Sequence, residues 1–126
     1  MSAREDAAKL RLALKAVKGR LDRAESALAG VLGAIRDCAA ELRECAALMA
    51  QAPLRDGGEP AFAAFADRRR AALRARIAAL SAALNNLYTD EKSRRADVER
   101  YLRQKISLEE ATDAAKTEAA RARARR

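Results

Sequence analysis

The sequence predicts an all-α fold: an elongated, antiparallel two-helix coiled-coil hairpin whose second helix is the longer. Three observations carry this. Of 126 residues, 50% are hydrophobic, 35% charged and only 3% aromatic, which suits a narrow apolar seam better than a thick globular core. From Leu10 to Cys45 an apolar or small residue recurs at alternating steps of three and four, the spacing of a coiled-coil helix. A single break, between Pro53 and Pro60, interrupts the helical pattern. Residues 1–126 therefore read as one helical hairpin.

Helix 1 is expected from about residue 3 to residue 52. Ser2 and Glu5 have the spacing of a capping box, and Pro53 stops the helix by removing a donor and restricting the residue before it. Leu14, Leu21, Leu28, Ile35, Leu42 and Met49 occupy heptad position a. Leu10, Val17, Ala24, Val31, Cys38 and Cys45 occupy position d. Gly30 and Gly33 fall at outer positions, each costing up to about 1 kcal/mol relative to alanine. Cys38 and Cys45 are one heptad apart on one helix, roughly 10 Å, too far for a mutual disulfide. They read as small core residues, and a reducing compartment fits.

Residues 53–59 form the loop, where Gly57 and Gly58 turn freely and Pro60 suits the first position of a new helix. Helix 2 is expected from about residue 60 to residue 122. Its seam runs through Leu73, Ile77, Leu80, Leu84 and Leu87, then Val98, Tyr101 and Leu108. Glu91, Arg94 and Lys105 also fall on it. A connection this short favours an antiparallel neighbour, pairing residues whose numbers sum to about 111–115. That sets Glu41 near Arg69 or Arg76, and Arg20 near Asp90 or Asp97. Helix 1 then runs out near residue 110 of helix 2, leaving the end of helix 2 without a partner.

The formal net charge is +8, from 26 Lys/Arg and 18 Asp/Glu. Residues 57–126 carry most of it, a feature that favours acidic partners or simply a well-solvated helical surface. The chain has no histidine, so the commonest general base and metal ligand is missing. Two seam cysteines do not make a zinc site, and Gly57-Gly58 lacks the lysine and hydroxyl residue of a phosphate loop. The sequence reads as a non-enzyme with no cofactor and no metal. With no run of about 18 apolar residues and no signal peptide, it reads as soluble and cytoplasmic, without direct membrane insertion.

Two stretches are candidate protein-binding surfaces. Phe62 and Phe65, the only phenylalanines, lie out of frame with the seam near the loop and precede Arg68, Arg69 and Arg70. Aromatics beside arginines are enriched among interface anchors; the alternative is that the rings cap the core while the arginines pair with Glu41 and Glu44. The second stretch is the tail, with Arg121, Arg123, Arg125 and Arg126, together with the basic face of helix 1. Its interleaved acids and lack of aromatics argue against specific nucleic-acid binding.

The run Val17-Lys18-Gly19-Arg20-Leu21-Asp22-Arg23-Ala24-Glu25-Ser26-Ala27-Leu28 resembles the start of the YscO (SctO) proteins of type III secretion systems, relatives of the flagellar export protein FliJ. The resemblance covers about a tenth of the chain, and length, layout and basic charge agree with it. It implies a central stalk that links a hexameric secretion ATPase to a nonameric export gate and promotes ATP hydrolysis. Secretion chaperones would be further partners, and the location would be cytoplasmic, peripheral to the inner-membrane export apparatus. Lys18, Arg20, Arg23 and Glu25, with the tail arginines, would then lie at the ATPase end. By geometry, Phe62, Phe65 and Arg68–Arg70 would face the gate. The rival readings are a helical-hairpin adaptor or export chaperone that dimerises through Leu12, Leu32 and Leu48, and a basic nucleic-acid-associated coiled coil.

Overall fold

The computed structural model describes residues 3–51 and 60–125. Two helices make up the fold, α1 (Ala3–Gln51) and α2 (Pro60–Ala124), with no strand among the described residues. The boundaries agree with the helix signals to within two residues. Pro60 opens α2, and a backbone bond from the Arg125 N–H to the Arg121 carbonyl, 3.1 Å, closes its end. The Ser2 cap and the 53–59 loop lie outside the described residues.

The chain divides into two compact units. Unit 1 comprises residues 1–29 and 92–126, and unit 2 comprises residues 30–91. In unit 1 the buried residues are Val17, Leu21 and Ala24 of α1; in unit 2 they are Cys45 of α1 with Ala66 and Leu80 of α2. All six stand on the heptad seams. The other α1 seam residues, from Leu10 to Met49, are half-buried, and the charged positions between them are mostly exposed. One facing stripe covers only one side of each seam side chain, so burial stops short of complete.

On α2 the low-exposure stripe includes every predicted seam position except Arg94, which is exposed. Its long side chain can reach water from a seam position. The stripe also continues past both predicted ends. Ala66 and Arg70 extend it toward the loop; Thr112, Ala115 and Ala119 extend it toward the C-terminus.

Unit 2 shows where α1 meets α2. The Cys38 thiol donates to the Leu80 carbonyl at 3.4 Å. Arg76 donates through Nε to Glu41 Oε1 at 3.1 Å, and its Nη2 reaches the same oxygen. Hydrogen bonding by Glu41 and then its charge raise the Arg76 pKa further above its ordinary value, so the guanidinium stays protonated throughout the physiological range. Between these two contacts the α2 number falls as the α1 number rises.

These pairs correct the expected register. Glu41–Arg76 is one of the two pairs expected for Glu41, but the numbers sum to 117 and 118, two to three residues beyond the expected 111–115. The expectation centred the fold on the Pro53–Pro60 break. Loop-closure entropy discriminates weakly between neighbouring lengths, and the facing side chains decide instead. The second correction follows in unit 1. Asp6, Ala7, Leu10 and Arg11 of α1 line a cleft together with α2 residues from Thr112 to Ala122. Helix 1 does not run out near residue 110, and α2 remains helical to Ala124.

Candidate protein-interaction surfaces

Unit 1 holds the residues of the Val17–Leu28 run. Val17, Leu21 and Ala24 are its buried positions, 5–9% exposed. The helical period then turns Lys18, Arg20, Arg23 and Glu25 outward, and all four are exposed. Arg20, Arg23, Ala24 and Ala27 share a cleft of about 270 Å³ with Arg94, Asp97 and Tyr101 of α2. Arg20 thus stands by Asp97, one of the two acids expected for it. The wall around Tyr101 is organised by Arg100. Its Nη2 lies 3.5 Å from Asp97 Oδ1 and donates to the Tyr101 hydroxyl at 2.9 Å, with its guanidinium carbon 4.7 Å from the ring centre. The cleft is therefore charged on both walls, with a cation stacked on an aromatic face.

The tail arginines Arg121, Arg123 and Arg125 are exposed on the last turns of α2; Arg126 lies outside the described residues. The structure does not bring them onto the Lys18–Glu25 cluster. The end of α2 accompanies Asp6 to Arg11, whereas the cluster accompanies Arg94 to Tyr101. Along α1 these levels are about 20 Å apart. The C-terminal cleft has a volume of about 530 Å³, and four of its ten lining residues are alanines, Ala7, Ala115, Ala119 and Ala122. Small seam residues leave it unfilled.

Unit 2 holds the tip residues. Phe62 and Phe65 are 57% and 55% exposed, so they do not cap a core, while Ala66 beside them is buried. Arg68 and Arg69 are exposed as well. Arg70 stands on the seam and is half-buried, so the outward face is formed by the two rings with Arg68 and Arg69. Leu48 is also exposed.

The exposure of Leu12 and Leu32 matches their off-seam positions. Tyr88, Leu102 and Ile106 carry the same signal: all three miss the α2 seam and all are exposed. Among the described residues, no three His, Cys, Asp or Glu side chains group to hold a metal ion, and no helix is long and apolar enough to cross a membrane. Both cysteines are free thiols.

Comparison of the chain with protein-family models, curated proteins and solved structures gives no match. The surfaces themselves therefore carry the functional reading.

Proposed function

We propose that this chain is an antiparallel two-helix coiled-coil hairpin acting as the central stalk of a bacterial type III secretion ATPase complex. In this reading it couples a hexameric ATPase to a nonameric export gate, promotes ATP hydrolysis and has no catalytic chemistry of its own. It would work in the cytoplasm, peripheral to the inner-membrane export apparatus, with secretion chaperones as further partners. The observation that carries the reading is the division of labour within Val17–Leu28. In the run that resembles the YscO proteins Val17, Leu21 and Ala24 are buried, Ala27 and Leu28 are half-buried, and the charged positions Lys18, Arg20, Arg23 and Glu25 face outward. A partner can read those charges without disturbing the packing. The opposed numbering of the Cys38–Leu80 and Glu41–Arg76 contacts supports the hairpin.

Lys18, Arg20, Arg23 and Glu25, with Arg121, Arg123, Arg125 and Arg126, are the proposed ATPase-facing residues. Phe62, Phe65, Arg68 and Arg69 are the proposed gate-facing residues, with Arg70 supporting them from the seam. The test is the hydrolysis rate of the type III secretion ATPase from the same organism, with and without the protein. Stimulation is expected, and it should be lost in the double variant Arg20→Glu, Arg23→Glu with helicity unchanged by circular dichroism. Absence of both stimulation and co-sedimentation would overturn the stalk.

A dimeric adaptor is the second reading, favoured by the exposure of Leu12, Leu32 and Leu48 at 70%, 40% and 39%. Light scattering separates the two: the stalk is a monomer in isolation, and the adaptor is a dimer.

A further inference from the structure

On the α2 seam of unit 1, Arg94 stands where an aliphatic residue would pack, and it is exposed. Beside it α1 offers Ala24 and Ala27, whose short side chains leave space unfilled. The cleft of about 270 Å³ is that space, bounded by Arg20 and Arg23 on α1 and by Arg94, Asp97 and Tyr101 on α2. A polar seam residue and small facing residues both cost packing energy. Local departures from a chain's own packing pattern are where binding sites are found.

The charges on the walls are unequal. Three arginines and one aspartate line the cleft, and Asp22 and Glu25, the acidic neighbours of Arg20 and Arg23 in sequence, do not. Asp97 is already engaged by Arg100, whose Nη2 lies 3.5 Å from its Oδ1, so a fourth guanidinium stands at the edge. Guanidiniums gathered around one recess repel one another, and an anion with more than one charge relieves that repulsion. Their planar forks donate paired hydrogen bonds to phosphate oxygens. The volume lies just below the range of ordinary small-molecule pockets, about 300–1,000 Å³. One face of Tyr101 is covered by Arg100. These walls suit a compact anion better than a stacked base.

We propose that this cleft binds a small, multiply charged phosphate anion: a diphosphate group, either free or at the end of a nucleotide. Arg20, Arg23 and Arg94 hold it, and Asp97 limits its affinity. The site does not depend on the stalk role. Arg94 lies outside the proposed ATPase-facing set, so loss of anion binding in an Arg94 variant and loss of ATPase stimulation in the Arg20, Arg23 variant are separate failures.

The test is calorimetric titration of the full chain with sodium pyrophosphate, with sulfate at equal ionic strength as the control for screening. One saturable site is expected. Arg94→Leu should weaken it about 10-fold or more, the effect of losing a charge-assisted bond to phosphate. Asp97→Asn should tighten it, and the triple variant Arg121→Gln, Arg123→Gln, Arg125→Gln should leave it unchanged. ADP as a second probe separates the two sources: equal affinity assigns a free diphosphate, and tighter binding of ADP assigns a nucleotide. Arg94→Leu places an aliphatic side chain on the seam, so the free variant should melt no lower than the native chain. Pyrophosphate should raise the melting temperature of the native chain and not that of Arg94→Leu. An Arg94 that served packing alone would show the reverse, a lower melting temperature on substitution and no response to pyrophosphate in either protein. That outcome would overturn the proposal. So would pyrophosphate binding no tighter than sulfate, or binding that survives Arg94→Leu and vanishes in the triple tail variant.

Discussion

Unit 1 and unit 2 share one heptad spacing and fill it differently. In unit 2 the α2 seam is aliphatic at five successive positions, Leu73, Ile77, Leu80, Leu84 and Leu87. In unit 1 the equivalent positions include Arg94, Lys105, Thr112 and Ala115. Clefts of about 270, 460 and 530 Å³ lie along unit 1. Unit 1 nevertheless buries three α1 residues, Val17, Leu21 and Ala24, to about the same depth as the buried residues of unit 2. The period decides which face turns inward, and the identity of the residue on the other helix decides whether the space there is filled.

Four substitutions sharpen or break that comparison. Leu80→Ala should have the largest effect, a loss of about 2–5 kcal/mol, because its side chain is buried and its neighbours cannot collapse onto the space. Leu108→Ala should fall below it, since Leu108 is half-buried beside an open cleft. Urea unfolding of the two variants measures the order, and an equal or greater loss at Leu108 would undo the contrast between the units.

Lys105→Leu comes next. Lys105 is a half-buried seam residue whose Nζ lies 3.6 Å from Glu109 on the same helix. Losing that pair costs a few tenths of a kcal/mol, and an added apolar seam side chain returns about 1 kcal/mol or more. A net stabilisation is therefore expected, read as slower amide exchange in unit 1. Slower exchange confined to unit 2 would mean that seam chemistry is not what distinguishes them. The smallest effect is that of Glu41→Gln. Its pair with Arg76 is partly exposed, so the variant should lose less than about 1 kcal/mol at low salt and almost nothing at 1 M salt, where charges are screened within about 3 Å. A loss that persists in high salt would show that Glu41 acts through packing.

Much of this was legible in the sequence because it is local. Both helices, their ends near Pro53 and Pro60, and the inward face of each follow from periodicity and backbone restriction. The outward charges of Lys18 to Glu25 follow from the same period, as does the exposure of Leu12, Leu32 and Leu48. The Glu41–Arg76 pair was one of two alternatives the charges allowed. The conformation of the Phe62–Arg69 face was less legible: out-of-frame aromatics fit either a core cap or an exposed face, and only the packing at Ala66 and Arg70 separates them.

The sequence by itself determined the two helices, their lengths and their seams, since a helix obeys the spacing of its own residues. Only the tertiary structure decided which residue of α2 stands opposite which of α1. Heptads repeat, so facing seams fit one another at more than one offset, and a loop closes at nearly equal cost for several of them. The choice among those offsets, and with it the company kept by the tail and by the Lys18–Glu25 cluster, comes from contacts such as Cys38 on Leu80 that join residues far apart in the chain.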